Sequence, residues 1–186
     1  MQKIVLTLFS LLLICLFFST GFAENLNWDE LNAKVTGHYQ QQQFTTAAGY
    51  ADEALTLARK SGTPDQLAIS LNNMAKINIH LGHFGEAEEL SKESLSVRQK
   101  EYGLDDPKVA VAWDGLGLIY YFVKKMDDAE QCFLESLKIQ EKAHGAKSEE
   151  IIPSLKKLEK FYTKIEKQQE ADKIAVRIQA LQTGPE

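Results

Sequence analysis

Several groups of side chains in this 186-residue sequence are spaced for chemistry. His80 and His83 form an H-x-x-H, a spacing open to metal ligation. No carboxylate or cysteine joins them, and His83 falls where a turn is expected. Paired carboxylates, as general acid–base catalysis would use, occur at Glu88-Glu89, Asp127-Asp128 and Glu149-Glu150. Each pair lies at or near a helix start, where the dipole and solvation account for it. Cys132 recurs in phase with Leu90 and Ile174 and reads as a small buried residue; an intermolecular disulfide or a reactive thiol is the alternative. No G-x-S-x-G, P-loop or Cys–His pair with a third partner is present. The chain therefore reads as a non-enzyme, with no cofactor and no metal site. What remains are binding groups. Lys156, Lys160 and Lys164 are spaced i, i+4, i+8 and stack on one helix face. They suit an acidic side chain or a C-terminal carboxylate; with Glu159 and Glu166 nearby, they equally suit a terminal helix kept soluble by charge. Tyr120, Tyr121 and Phe122 run in succession, so they cannot all face inward. An exposed ring there would give an apolar anchor, and packing between units is the other use of it.

The elements that must position these groups are helical. Residues 1–23 come first: a basic start at Lys3, an apolar run from Ile4 to Phe18, and a small-residue exit at Gly21-Phe22-Ala23. This is the pattern of a secretory signal cleaved after Ala23, giving an exported, periplasmic or secreted product; an uncleaved membrane anchor is the alternative. Leu12-Leu13-Ile14 before Cys15 argue against a lipoprotein signal. Cleavage takes the net charge from −5 to −6, because Lys3 is the only charge in the leader. That balance does not suit non-specific nucleic-acid binding. Beyond residue 23, apolar residues recur at spacings of three and four, and nothing reads as a strand. The spacing predicts eight helices, over 27–42, 44–60, 64–81, 84–101, 107–123, 126–142, 148–165 and 168–182. Thr63-Pro64, Asp106-Pro107 and Ser148 supply starts. Gly62, Gly103 and Gly145 supply stops that are expected to need positive φ.

The chain also repeats itself. Ala87, Ala129 and Ala171 are 42 residues apart, as are Leu71, Trp113 and Leu155, and Ile77, Ile119 and Phe161. An earlier copy with Phe44, Ala47 and Leu55 precedes Phe84, Ala87 and Leu95 by 40. A fixed period of this size implies stacked supersecondary units, each unable to bury its apolar face alone.

These residues resemble the tetratricopeptide repeat. Trp113, Leu116-Gly117, Tyr120, Met126, Ala129, Phe133 and Ser136-Leu137 match its pattern best. Leu71, Met74-Ala75, Phe84, Ala87 and Ser94-Leu95 match in the unit before. Leu155, Leu158, Tyr162, Ala171 and Ala175 match in the unit after, where Glu159 replaces the small residue. The opening helix of the first unit departs from the pattern. The 42-residue period, with Arg98 to Pro107, looks like the longer subtype found in kinesin light chains. The resemblance implies an all-α, right-handed superhelix of antiparallel helix pairs, about four repeats at 27–62, 63–105, 106–147 and 148–182, within a domain of residues 24–186. The first helix of each pair would line a concave groove that takes a peptide or partner helix.

Placed on that geometry, the groove side shows Asn32, Thr36, Tyr39 and Gln40, then Ile69, Asn72, Asn73, Lys76, Ile79 and His80. Val111, Asp114, Leu118, Tyr121 and Phe122 come next, then Lys156, Lys160 and Lys164. Asn72-Asn73 resembles the paired asparagines of this subtype, whose amides both donate to and accept from a peptide backbone. Asn73, Gly115 and Lys157 share one groove position in successive units. The chaperone-tail carboxylate clamp is absent, because Val111 and Gly115 stand at its basic positions. The reading is an exported protein-interaction module. Its rivals are an oligomer joined through the last helix, with Ala171, Ile174, Ala175, Ile178 and Leu181, and a periplasmic helper for a small molecule or metal.

Overall fold

The computed structural model describes residues 26–183, so the leader reading lies outside the described residues. Those residues form eight α-helices and one 3-10 turn, with no strand among them. Helices α1 (Trp28–Gln40) and α2 (Phe44–Ser61) pair antiparallel, as do α3 (Pro64–Leu81) and α4 (Phe84–Tyr102). Helices α5 (Pro107–Phe122) and α6 (Met126–His144) form the third pair. The fourth is α7 (Ile152–Lys164) with α8 (Gln168–Thr183).

The starts are chemically explicit. The Asn27 side chain accepts from the Glu30 N–H while the Glu30 carboxylate accepts from the Asn27 N–H, a reciprocal cap repeated by Thr63 and Gln66. Asp106 accepts from the Lys108 N–H ahead of Pro107. Ser148 caps as expected, but it leads into the 3-10 turn Glu149–Ile151, and α7 begins only at Ile152. Pro153 explains the delay, because it has no N–H to bond back to the Glu149 carbonyl. Of the three glycine stops, Gly103 and Gly145 have φ of 81° and 92°, whereas Gly62 has φ −81°. Gly62 is needed for space instead: a Cβ there would lie 2.6 Å from the Ala58 Cα.

Within each pair, small residues let two backbones approach. Ala47, Ala87, Ala129 and Ala171 are at most 2% exposed. A Cβ on Gly117 would meet Cys132 and Phe133 at 3.1 Å, so that crossing has no room for a side chain. Cys132 is buried beside it, and burial pushes its thiol up to about 12, leaving no thiolate for redox or nucleophilic chemistry at neutral pH.

Between pairs, buried Ile77, Ile119 and Phe161 fill the seams. The Trp28 indole N–H donates to the Ser70 hydroxyl at 2.8 Å, one full unit away. One ionic device occurs twice. Glu88 accepts from Lys125 at 2.8 Å and from Lys92 at 2.7 Å; 42 residues on, Glu130 accepts from Lys167 at 2.6 Å and from the Tyr162 hydroxyl at 2.9 Å. Hydrogen bonds from Lys125 and Lys92 hold the Glu88 carboxyl below its ordinary value of 4.5. At Glu130 burial pushes upward, but the bonds from Lys167 and Tyr162 outweigh it and the value is again lowered.

A carboxylate lowered on folding stabilises fully above its unfolded value and loses that contribution as pH falls through the folded one. Unfolding free energy is therefore expected to drop as pH falls below 4.5, and less steeply in a Lys125→Met, Lys167→Met variant; urea titrations across pH check this. A second expectation separates two equivalent serines. Ser94 Oγ donates to the Ala68 carbonyl at 2.9 Å, whereas buried Ser136 Oγ has no partner among the described residues. Ser94→Ala should cost about 1 kcal/mol, while Ser136→Ala should be neutral or stabilising; equal losses in chemical denaturation would contradict the assignment.

Candidate binding groove

Successive first helices α1, α3 and α5 touch along their backbones, which makes theirs the inner, concave side. Long side chains span the outer side, as in Arg59 to Glu93 and Arg177 to Glu141. Cross-groove contacts tie α1 to α3 and α5 to α7. Asn73 donates to the Asn32 amide oxygen at 2.8 Å, Tyr39 OH meets His80 Nε2 at 3.0 Å, and Lys157 pairs with Asp114. Helix α7 stands further from α5 than α5 does from α3, and an opening lies between them.

That opening is a cavity of about 350 Å³ lined by Asn72, Lys76, Val111, Asp114, Gly115, Leu118, Tyr121, Phe133, Lys157, Lys160, Phe161 and Lys164. Phe133 belongs to a second helix and reaches the floor because Gly117 leaves its ring space. A smaller, more polar cavity is lined by Val35, Thr36, Tyr39, Gln40, Asn73 and Lys76. Lys76 lines both and stands between them. The concave walls desolvate its ammonium and lower its pKa from the ordinary 10.5, although part of the side chain stays exposed; the like charge of Lys157 adds to the effect.

The structure separates the sequence-derived residues into three sets. Asn72, Lys76, Asp114, Leu118, Tyr121, Lys160 and Lys164 line the larger cavity, and Asn73 lines the smaller one. Asn73 spends one donor on Asn32, so the two asparagines are not equivalent. His80, Phe122 and Lys156 line neither cavity. His80 stacks on Phe44 with ring centroids 4.0 Å apart, and its Nε2 is engaged by Tyr39, so His80 is part of an aromatic junction. Phe122 is 41% exposed and edges against Tyr121, whose other neighbour is Phe161. On α7 the inward lysines are Lys157, Lys160 and Lys164, at i, i+3, i+7; the stripe drawn through Lys156 is displaced by one residue because Lys157 turns in to Asp114. Phe133 and Phe161 were legible only as repeat-phase core positions, and the wide α5–α7 gap is what opens them to the groove.

The tetratricopeptide repeat model matches residues 31–100 and again 66–142. The chain belongs to the tetratricopeptide repeat (TPR) family. It is a right-handed TPR-like solenoid, and its solved likenesses agree in fold. BtubC (BKLC) from P. vanneervenii is 19% identical with a TM-score of 0.69, over 85% of this chain and 63% of that one. The chain thus spans less than two thirds of BtubC's length. A Podospora anserina protein described as a kinesin light chain with nearly identical TPR-like repeats is 17% identical, TM-score 0.68, over 86% and 80%. Apo RapI is 21% identical, TM-score 0.63, over 83% and 56%. No curated protein matches the sequence. TPR arrays are in general protein-interaction modules, and no catalytic family matches.

Removing the like charge of Lys157 should raise the pKa of Lys76, and the freed Asp114 carboxylate acts in the same direction. The Lys76 side-chain titration followed by NMR in Lys157→Gln is expected to move toward 10.5; an unchanged midpoint would show that the two do not sense each other.

Proposed function

We propose that this TPR protein is exported and holds a peptide or partner helix along its concave groove. The observation that carries the reading is the pair of neighbouring cavities on the concave side, lined almost wholly by first helices and sharing Lys76. In it Asn72 offers an amide able to donate to and accept from a peptide backbone. Leu118, 39% exposed, and Tyr121 offer apolar contact. Lys160 and Lys164 favour acidic character in the ligand, and electrostatic complementarity of this kind sets specificity and encounter rate. Export is supported by the basic, apolar and small-residue succession of residues 1–23.

A second reading, self-association through the end of the array, is favoured by α8. Val176 there is 66% exposed, and Ile174, Ala175 and Leu181 are only partly covered.

A photo-crosslinking residue at position 118, in cells producing the full chain, is expected to capture a partner. One at position 134, on an exposed leucine of the second-helix side, is expected to capture none, and Lys160→Glu should abolish the product at 118. Equal products at both positions would end the groove reading. Self-crosslinking from position 176 alone would favour the oligomer. N-terminal sequencing of the exported protein should begin at Glu24; a start at Met1 would refute cleavage.

A further inference from the structure

The larger cavity has features that a sequence-tolerant peptide groove does not require. Four lysines line it against a single aspartate, on a chain whose net charge is −5. Lys157 and Asp114 pair with each other, while Lys76, Lys160 and Lys164 have no carboxylate partner among the described residues. Asn72 is only 9% exposed, faces the cavity, and makes no side-chain hydrogen bond to any described residue. Its amide atoms open onto the cavity, where a ligand can meet them as donor or acceptor. The floor is apolar: Val111, Leu118, Tyr121, Phe133 and Phe161.

Position 115 is glycine where the neighbouring units carry Asn73 and Lys157, and a Cβ there would stand 3.3 Å from the Asn72 Oδ1. The absent side chain thus lets the Asn72 amide lie close against α5, and the stand-off of α7 leaves a hollow between that amide, three ammonium groups without a carboxylate partner and an aromatic floor.

We propose that this hollow binds a small amphipathic carboxylate, a free organic acid with a compact alkyl or aryl body. Its carboxylate takes the Asn72 N–H and the field of Lys76, Lys160 and Lys164, and its body lies on Leu118, Tyr121 and Phe161. The volume, about 350 Å³, falls at the low end of small-ligand pockets. A carboxylate fits better than a phosphate, because the lining has no arginine fork and no helix N-terminus of the sort that phosphate sites use. The lysines are instead spread along α7 and α3, giving a diffuse positive field around one amide donor. The hollow lies within the groove, yet its occupancy by a free acid does not require the peptide reading.

Octanoate, octylamine and octanol titrated into the purified protein by calorimetry test the proposal. Octanoate is expected to bind one saturable site at least about tenfold more tightly than either analogue, and to weaken with added salt. Lys160→Glu should weaken it by about tenfold or more. Gly115→Gln, whose side chain enters the hollow, should abolish it while the thermal transition persists. Lys156→Glu, on the same helix but outside the cavity, should leave it unchanged. No octanoate binding to the native protein, equal affinity for octylamine, or full binding by both Gly115→Gln and Lys160→Glu would overturn the proposal. Since the peptide reading is judged by crosslinking from position 118, either can fail without the other.

Discussion

Close approach of two helices within each pair is the constraint on which the rest depends. It rests on Ala47, Ala87, Ala129 and Ala171, with Gly117 facing Cys132 and Phe133 across the tightest crossing. With the backbones that near, the larger residues are displaced to the seams, where Ile77, Ile119 and Phe161 join one pair to the next. The pairs then stack with their first helices on the inside, and the inner surface becomes a groove. Packing of this kind leaves little tolerance for added volume, which is why the same position stays small four times over.

Most of this architecture was legible because it is repetitive. Caps such as Thr63-Pro64 and Asp106-Pro107 are local chemistry, and the alanines announce themselves by their interval. What could not be read depends on spacing between helices rather than along them. Pro153 delays α7 by a 3-10 turn, and α7 stands off from α5. That displacement opens Phe133 and Phe161 to the cavity, whereas Lys157 was already placed in the groove by its repeat phase with Asn73 and Gly115. The setting of His80 also depends on a neighbouring pair: Phe44, from the pair before, is stacked on it.

The groove residues obey the opposite logic from the scaffold. Asn73, Gly115 and Lys157 occupy one position in successive units and have three unrelated side chains. One is tied to Asn32, one is absent, and one is paired with Asp114. A position outside the repeated core is free to differ, so the variation marks where the shared scaffold ends.

The doubled bridge has a further consequence. Glu88 with Lys125 and Glu130 with Lys167 clasp the second and third junctions, but at the first junction the corresponding residues are Ala48 and His83. There the union is made by Trp28 on Ser70 and by the Phe44–His80 stack, with the exposed Arg59–Glu93 pair beside them. Exposed ion pairs are screened by salt, whereas a buried indole hydrogen bond and ring stacking are not. Added salt therefore weakens the bridges at Glu88 and Glu130 and the exposed Arg59–Glu93 pair, and leaves the Trp28–Ser70 bond holding the first junction as before.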